Sequence, residues 1–213
     1  YQEVIDPGTE AIRKQDYYAN GDVVDFEYGR FVGEAFLQYE GASIAQLESL
    51  GESWGLAPSE SAIVFIDNHD KQRGHGGGGN YLTHQDGDLY TLANVFMLAY
   101  PYGQARVMSS YRFESSDQGP PTFEDGTTRA VYQNGEATCF DDWVCEHRWT
   151  PITNMVMFRN VTQPQPEITD WWSNGDDQIA FGRGNLGFVV INRSEDWLAA
   201  TFQTQLPAGD YCN

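Results

Sequence analysis

The stretch Ala62-Ile63-Val64-Phe65-Ile66-Asp67-Asn68-His69-Asp70 decides how the chain is read. Five apolar residues in succession mark a strand covered on both faces, because a strand with one wet face alternates instead. Four polar residues follow without a gap. In a β/α barrel the polar residues at the carboxyl ends of strands are the catalytic candidates. Two carboxylates, an amide and an imidazole at one strand end therefore make a candidate site, where a plain turn with helix capping needs a single Asp.

Working outward, Val23-Val24-Asp25-Phe26-Glu27-Tyr28 and Ala105-Arg106-Val107-Met108 read as further buried strands. Between the strands lie helical patterns. One covers roughly 30–50, with Phe31, Ala35, Ile44, Leu47 and Leu50 on apolar faces. A second, 86–99, places Leu89, Leu92, Phe96 and Ala99 on one stripe with Asp86 as N-cap. The chain is polar and turn-rich from Glu114 to Ala137, and a third helix then follows with Thr150 as N-cap and Pro151 at its first position. Pro164-Gln165-Pro166 ends that helix and reads as a linker. Beyond it the pattern changes to short strands with tight turns at 178–181, 187–191 and 200–204.

Residues 1–165 thus read as β/α units and 166–213 as the start of an all-β domain. Such alternation fits a doubly wound sheet or a (β/α)8 barrel, and three or four units are too few to close a barrel. No Gly-x-Gly-x-x-Gly follows a strand, so nothing supports a dinucleotide fold.

Composition bounds the function. Twelve Lys+Arg against 31 Asp+Glu give a net charge of −19, with no basic stripe to neutralise phosphates, which argues against nucleic acid. No run of about 18 apolar residues offers a membrane span. Cys139 and Cys145 are spaced so that a tight disulfide loop could close, or they stay buried thiols of a cytosolic protein; Cys212 has no evident partner. The sequons Asn160-Val161-Thr162 and Asn192-Arg193-Ser194 fit a secreted protein. Both ends read as cut: the chain opens on Tyr1-Gln2-Glu3 and closes on Asp210-Tyr211-Cys212-Asn213 inside a strand-like pattern.

Four further features invite chemistry. Glu3, paired with Asp70, would supply the two carboxylates a glycosidase sets across one scissile bond. The loop Arg73-Gly74-His75-Gly76-Gly77-Gly78-Gly79-Asn80 lacks the Gly-Lys-Ser/Thr ending of a phosphate loop and reads as a mobile segment carrying His75 over a cleft. Arg106 reads as a buried cation inside a strand pattern and needs an anion, a carboxylate in a salt bridge or a bound ion. Trp171-Trp172 could stack on sugars but more often such a pair packs at a domain junction.

At this point the chain resembles the animal-type, chloride-dependent α-amylases of the glycoside hydrolase 13 clan. The resemblance rests on Gln2-Glu3-Val4-Ile5-Asp6, Glu10-Ala11-Ile12, Phe65-Ile66-Asp67-Asn68-His69-Asp70 and Gln72-Arg73-Gly74-His75-Gly76. It continues through Phe96-Met97-Leu98-Ala99-Tyr100-Pro101-Tyr102-Gly103, Arg106-Val107-Met108-Ser109-Ser110-Tyr111, Trp143-Val144-Cys145-Glu146-His147-Arg148-Trp149 and Phe181-Gly182-Arg183-Gly184-Asn185. These fall in the family's order over essentially the whole chain.

The resemblance implies an α/β fold: the C-terminal half of a (β/α)8 TIM barrel, strands five to eight, followed by the beginning of an all-β (Greek-key) domain. It implies that Glu3 is the general acid/base and Asp70 the second carboxylate, with Ile5, Glu10, His69 and His75 contacting substrate. Asn68 and Arg106 match two chloride ligands, Cys139 and Cys145 match a family disulfide, and calcium ligands are expected upstream. An anion beside Glu3 favours its protonated form, so that it can donate a proton near neutrality. The expected partners are starch, glycogen and malto-oligosaccharides, acted on by a secreted enzyme that is a monomer when full length. Retention requires a nucleophilic Asp about 5–5.5 Å from the acid, and its strand lies outside these residues. The chain departs from the family at Pro7, Thr9 and Lys71, in a Gly loop one residue shorter than in vertebrate enzymes, and in an abbreviated 112–138. The competing expectations are another α-glucosidase of the clan, or a relative that only binds glucan or a protein.

Overall fold

The fold comes from a computed structural model, which describes residues 1–9, 11–75, 79–137, 139 and 142–211. Four short strands, β1 (Gln2–Glu3), β2 (Val23–Val24), β3 (Ala62–Val64) and β4 (Gln104–Ala105), form one sheet in sequence order. Every neighbouring pair is parallel, with Glu3 beside Val24, Val24 beside Ile63, and Val64 beside Ala105. β3 is buried at all three positions, as its unbroken apolar run requires. β1 and β4 are the edges.

Helix α1 (Phe26–Leu37) follows β2 and α2 (Asp88–Ala99) follows β3. The strand expected over 23–28 is only two residues long, because Asp25 ends it. Its carboxylate accepts the Glu27 N–H at 3.2 Å as the N-cap of α1, and also holds the Lys14 ammonium at 3.0 Å and the Ala57 N–H at 2.6 Å. The helix expected over 30–50 stops at Gln38, which is left-handed at φ 54°, and the chain continues in short 3-10 turns that still bury Ile44, Leu47 and Leu50. α2 begins two residues later than expected, since Asp86 bonds back to Thr83 in a capping box and Gly87 takes the cap position. The strand expected over 105–108 is shifted and shortened to 104–105.

Gly29 lets α1 settle onto the exit of β3. A Cβ there would lie 2.7 Å from the Phe65 carbonyl oxygen and 2.8 Å from that of Ile66, both backbone atoms that cannot move aside. Phe96 of α2 joins the layers: its ring meets Phe36 of α1, Tyr100 and Phe181 at centroid distances of 6.4, 5.1 and 6.1 Å, and it is wholly buried. Cutting such a ring back to Ala costs about 3–5 kcal/mol.

A small hairpin, β5 (Tyr132–Gln133) and β6 (Glu136–Ala137), precedes α3 (Thr150–Thr162), which has Trp149 as N-cap and proline in its first turn. The final sheet is antiparallel: β7 (Thr169–Ser173), β8 (Gln178–Gly182) and β9 (Phe188–Asn192), a meander in sequence order. Residues 200–204 form no strand, but Phe202 packs edge-on against Trp172 at 5.2 Å. The two tryptophans belong to β7. Trp171 stacks on Phe181 at 5.4 Å, so both are packing residues.

Candidate active site

The carboxyl ends of the parallel strands define one rim. After β3 the chain buries Phe65 and Ile66 and then turns Asp67 inward, at 2 % exposure. Asn68, His69 and Asp70 form the turn beyond, followed by a 3-10 turn over Lys71–Arg73. The Asp70 carbonyl accepts the N–H groups of Arg73 and His75 at 3.0 and 2.9 Å. Its carboxylate makes no capping bond to the turn it starts, so turn formation does not consume that group. His69 Nε2 lies 3.7 Å from Asp70 Oδ1, with His69 largely exposed.

His69, Asp70 and His75 line one cleft of about 270 Å³, whose far wall is Met108, Ser110 and Tyr111. Arg73 fastens that wall: its Nη1 donates to the carbonyls of Ser116 and Gln118 at 2.7 and 2.8 Å, and its guanidinium lies over the rings of Tyr111 and Phe113 at 5.0 and 4.4 Å. The wall is braced from behind by the Cys139–Cys145 disulfide, whose Cα atoms are 5.5 Å apart. The segment it closes gives the Val144 N–H to the Ser110 carbonyl at 2.9 Å and sets Trp143 edge-on to Tyr111 at 6.0 Å. A larger groove of about 450 Å³, beside Val190, Trp197 and Phe202, holds none of the candidate residues.

Glu3 and Ile5 are exposed at the end of β1, two strands from β3 on the same rim, and do not line the cleft. Glu10 and Cys212 lie outside the described residues. Asn68 is half-buried, and its Oδ1 accepts the Lys71 N–H at 2.8 Å, which leaves the amide Nδ2 as donor. Arg106 is exposed rather than buried, because it follows an edge strand, and its Nη2 donates to Gln104 at 2.6 Å. An exposed guanidinium and an amide N–H at the exits of adjacent strands are donors of the kind that an anion takes. For calcium, no group of three His, Cys, Asp or Glu among the described residues is placed to hold a metal ion. No described helix is long and apolar enough to cross a membrane.

Two other arginines are enclosed by backbone carbonyls: Arg183 is buried and Arg159 half-buried. Arg159 donates to the carbonyls of Met97, Tyr100 and Gly103 at 3.1, 2.9 and 2.6 Å, covering the end of α2. Carbonyls with no partner inside the helix, at the negative end of its dipole, satisfy a cation as an anion would. Sequence reasoning also missed a polar cluster beneath the rim. Tyr90 donates to Asp67 Oδ1 at 2.9 Å, and Glu146 is fully buried against Ser110. Burial pushes the Asp67 carboxyl up to about 7, against the hydrogen bonds of Gln72 and Tyr90, and the charge of Glu146 adds to the rise. Burial holds His84 below its ordinary value, with Glu146 opposing.

A four-stranded parallel sheet with polar residues at its carboxyl rim, joined to an antiparallel sheet, is consistent with part of a β/α barrel followed by a β domain. Over its whole length the chain is similar to animal α-amylases. Residues 171–213 match the α-amylase C-terminal all-beta domain. All of the chain aligns at 50 % identity with pancreatic alpha-amylase 2a5 of Mus musculus and with human pancreatic alpha-amylase, covering 44 % and 43 % of them. It thus spans less than half the length of these curated relatives. The crystal structure of alpha-amylase I from Eisenia fetida superposes with a TM-score of 0.92 at 42 % identity, over 98 % of this chain and 43 % of that one. A variant of that enzyme, solved as a complex with maltohexaose, superposes at 0.91.

Proposed function

We propose that residues 1–165 are the C-terminal half of an α-amylase catalytic barrel, that residues 166–213 begin its C-terminal β domain, and that the complete, secreted enzyme hydrolyses internal α-1,4 bonds of starch and glycogen with retention. The observation that carries this reading is the His69–Asp70–His75 cleft at the strand-end rim of a chain half identical to α-amylases throughout.

In this reading Glu3 protonates the glycosidic oxygen and later takes a proton from the attacking water. Asp70 holds sugar hydroxyls and stabilises the positive charge that develops at the anomeric carbon. His69 and His75 donate hydrogen bonds to the same sugar, while Ile5 and Glu10 meet substrate from the side of β1. Asn68 and Arg106 would hold chloride, which supplies a fixed negative charge favouring the protonated form of Glu3. The nucleophilic carboxylate and the calcium ligands belong to chain outside these residues.

The test is to express the full-length protein and follow maltohexaose cleavage by proton NMR. Release of α-anomeric products from internal bonds is expected. First-formed β-anomers, or glucose released only from chain ends, would overturn the reading.

A further inference from the structure

Two buried carboxyls have no part in that mechanism, yet they meet beneath its cleft. Asp67 Oδ2 accepts from Gln72 Nε2 at 2.5 Å, and the same amide nitrogen donates to Ser110 Oγ at 2.6 Å. Ser110 Oγ in turn donates to Glu146 Oε1, and the Ser110 N–H donates to Glu146 Oε2 at 2.7 Å. An amide NH2 carries two protons and gives one to each oxygen it faces, so the single hydroxyl proton of Ser110 must go to Glu146. Asp67 is also held by the Tyr90 hydroxyl at 2.9 Å, and His84 Nδ1 sits 3.7 Å from Glu146 Oε1.

This row of bonds ties two surfaces together. Gln72 stands on the short turn that follows Asp70, and Ser110 stands in the opposite wall of the cleft. Glu146 comes from a third segment, closed by the disulfide and leading into α3. Removing two carboxyls from water costs several kcal/mol, and apolar atoms would fill the same space at less cost. What the polar row adds is a fixed separation between floor and wall.

We propose that Glu146 is a positioning residue for Asp70, acting through Ser110 and Gln72 to set the turn that carries Asp70 against the cleft wall. The inference rests on the cleft being the active site. A displacement of about 1 Å in such a group lowers turnover by up to about a hundredfold.

The test uses the full-length enzyme with maltohexaose, at a temperature where every variant is folded by circular dichroism. Ser110→Ala cuts the row yet leaves Glu146 its backbone bond, and Gln72→Met cuts it at the other junction. Each is expected to lower kcat about tenfold or more, with KM changed less than about twofold, while Ser110→Thr restores kcat to within about threefold. Wild-type kcat in either folded cut variant, or a loss that Ser110→Thr fails to restore, overturns the inference. A full-length wild type that binds but never cleaves maltohexaose defeats the reading of the cleft itself, and the inference with it.

Discussion

Arg183, one residue past β8, donates from Nη1 to the carbonyl of Ala99, the last residue of α2, at 2.7 Å. The same guanidinium reaches the carbonyls of Thr162 and Gln165. A single buried cation therefore joins the antiparallel sheet to the end of one barrel helix and the exit of another.

Arg183→Ala leaves those carbonyls buried and unpaired, so a loss of about 3 kcal/mol is expected. The measurement is the denaturant midpoint of the full-length protein. Arg183→Lys should lose a similar amount, since one ammonium cannot span acceptors that a planar guanidinium bridges. An unchanged midpoint for both variants would show that water satisfies the carbonyls instead.

Asp67 should impose a pH dependence on stability. Its pKa rises from 3.8 to about 7 on folding, so between those values the folded state binds more protons than the unfolded. Stability from this group is present at low pH and is lost as pH rises through that window. Asp67→Asn cannot ionise, so its stability should fall less steeply from about pH 4 to about pH 7. Equal slopes for the two proteins, from urea unfolding across that range with chloride held constant, would contradict this.

Much of this site was legible in the sequence. The apolar run into Asp67-Asn68-His69-Asp70 named both the buried strand and its polar rim, and the antiparallel strands near 178–181 and 187–191 were visible from alternation and turns. The errors have physical causes. Asp25 reads as a strand residue because a capping carboxylate and a strand residue leave the same letter. Arg106 looked buried because pattern cannot tell an edge strand from a central one. The row from Asp67 to Glu146 could not be read, since its members are 38 residues apart where it crosses from Gln72 to Ser110 and 36 apart from there to Glu146. Arg159 and Arg183 carried no signal, because their partners are backbone oxygens present at every position.

Chloride should be required for turnover. With the full-length enzyme, exhaustive removal of chloride is expected to lower the starch-hydrolysis rate about tenfold or more, with recovery on its return. A rate indifferent to chloride would sink the assignment of Asn68 and Arg106.

The 213-residue chain alone should release no reducing ends from starch. Retention needs two carboxylates across one bond, and the open edges at β1 and β4 leave the sheet prone to self-association. Turnover by the purified chain, free of contaminating enzyme, would refute the mechanism as assigned.

The central claim is that Glu3 moves the proton, and Glu3→Gln in the full-length enzyme tests it most directly. Replacing the acid with an amide of the same shape should cut maltohexaose hydrolysis about a thousandfold or more while leaving maltohexaose binding within about threefold of wild type. Hydrolysis within tenfold of wild type would contradict the account.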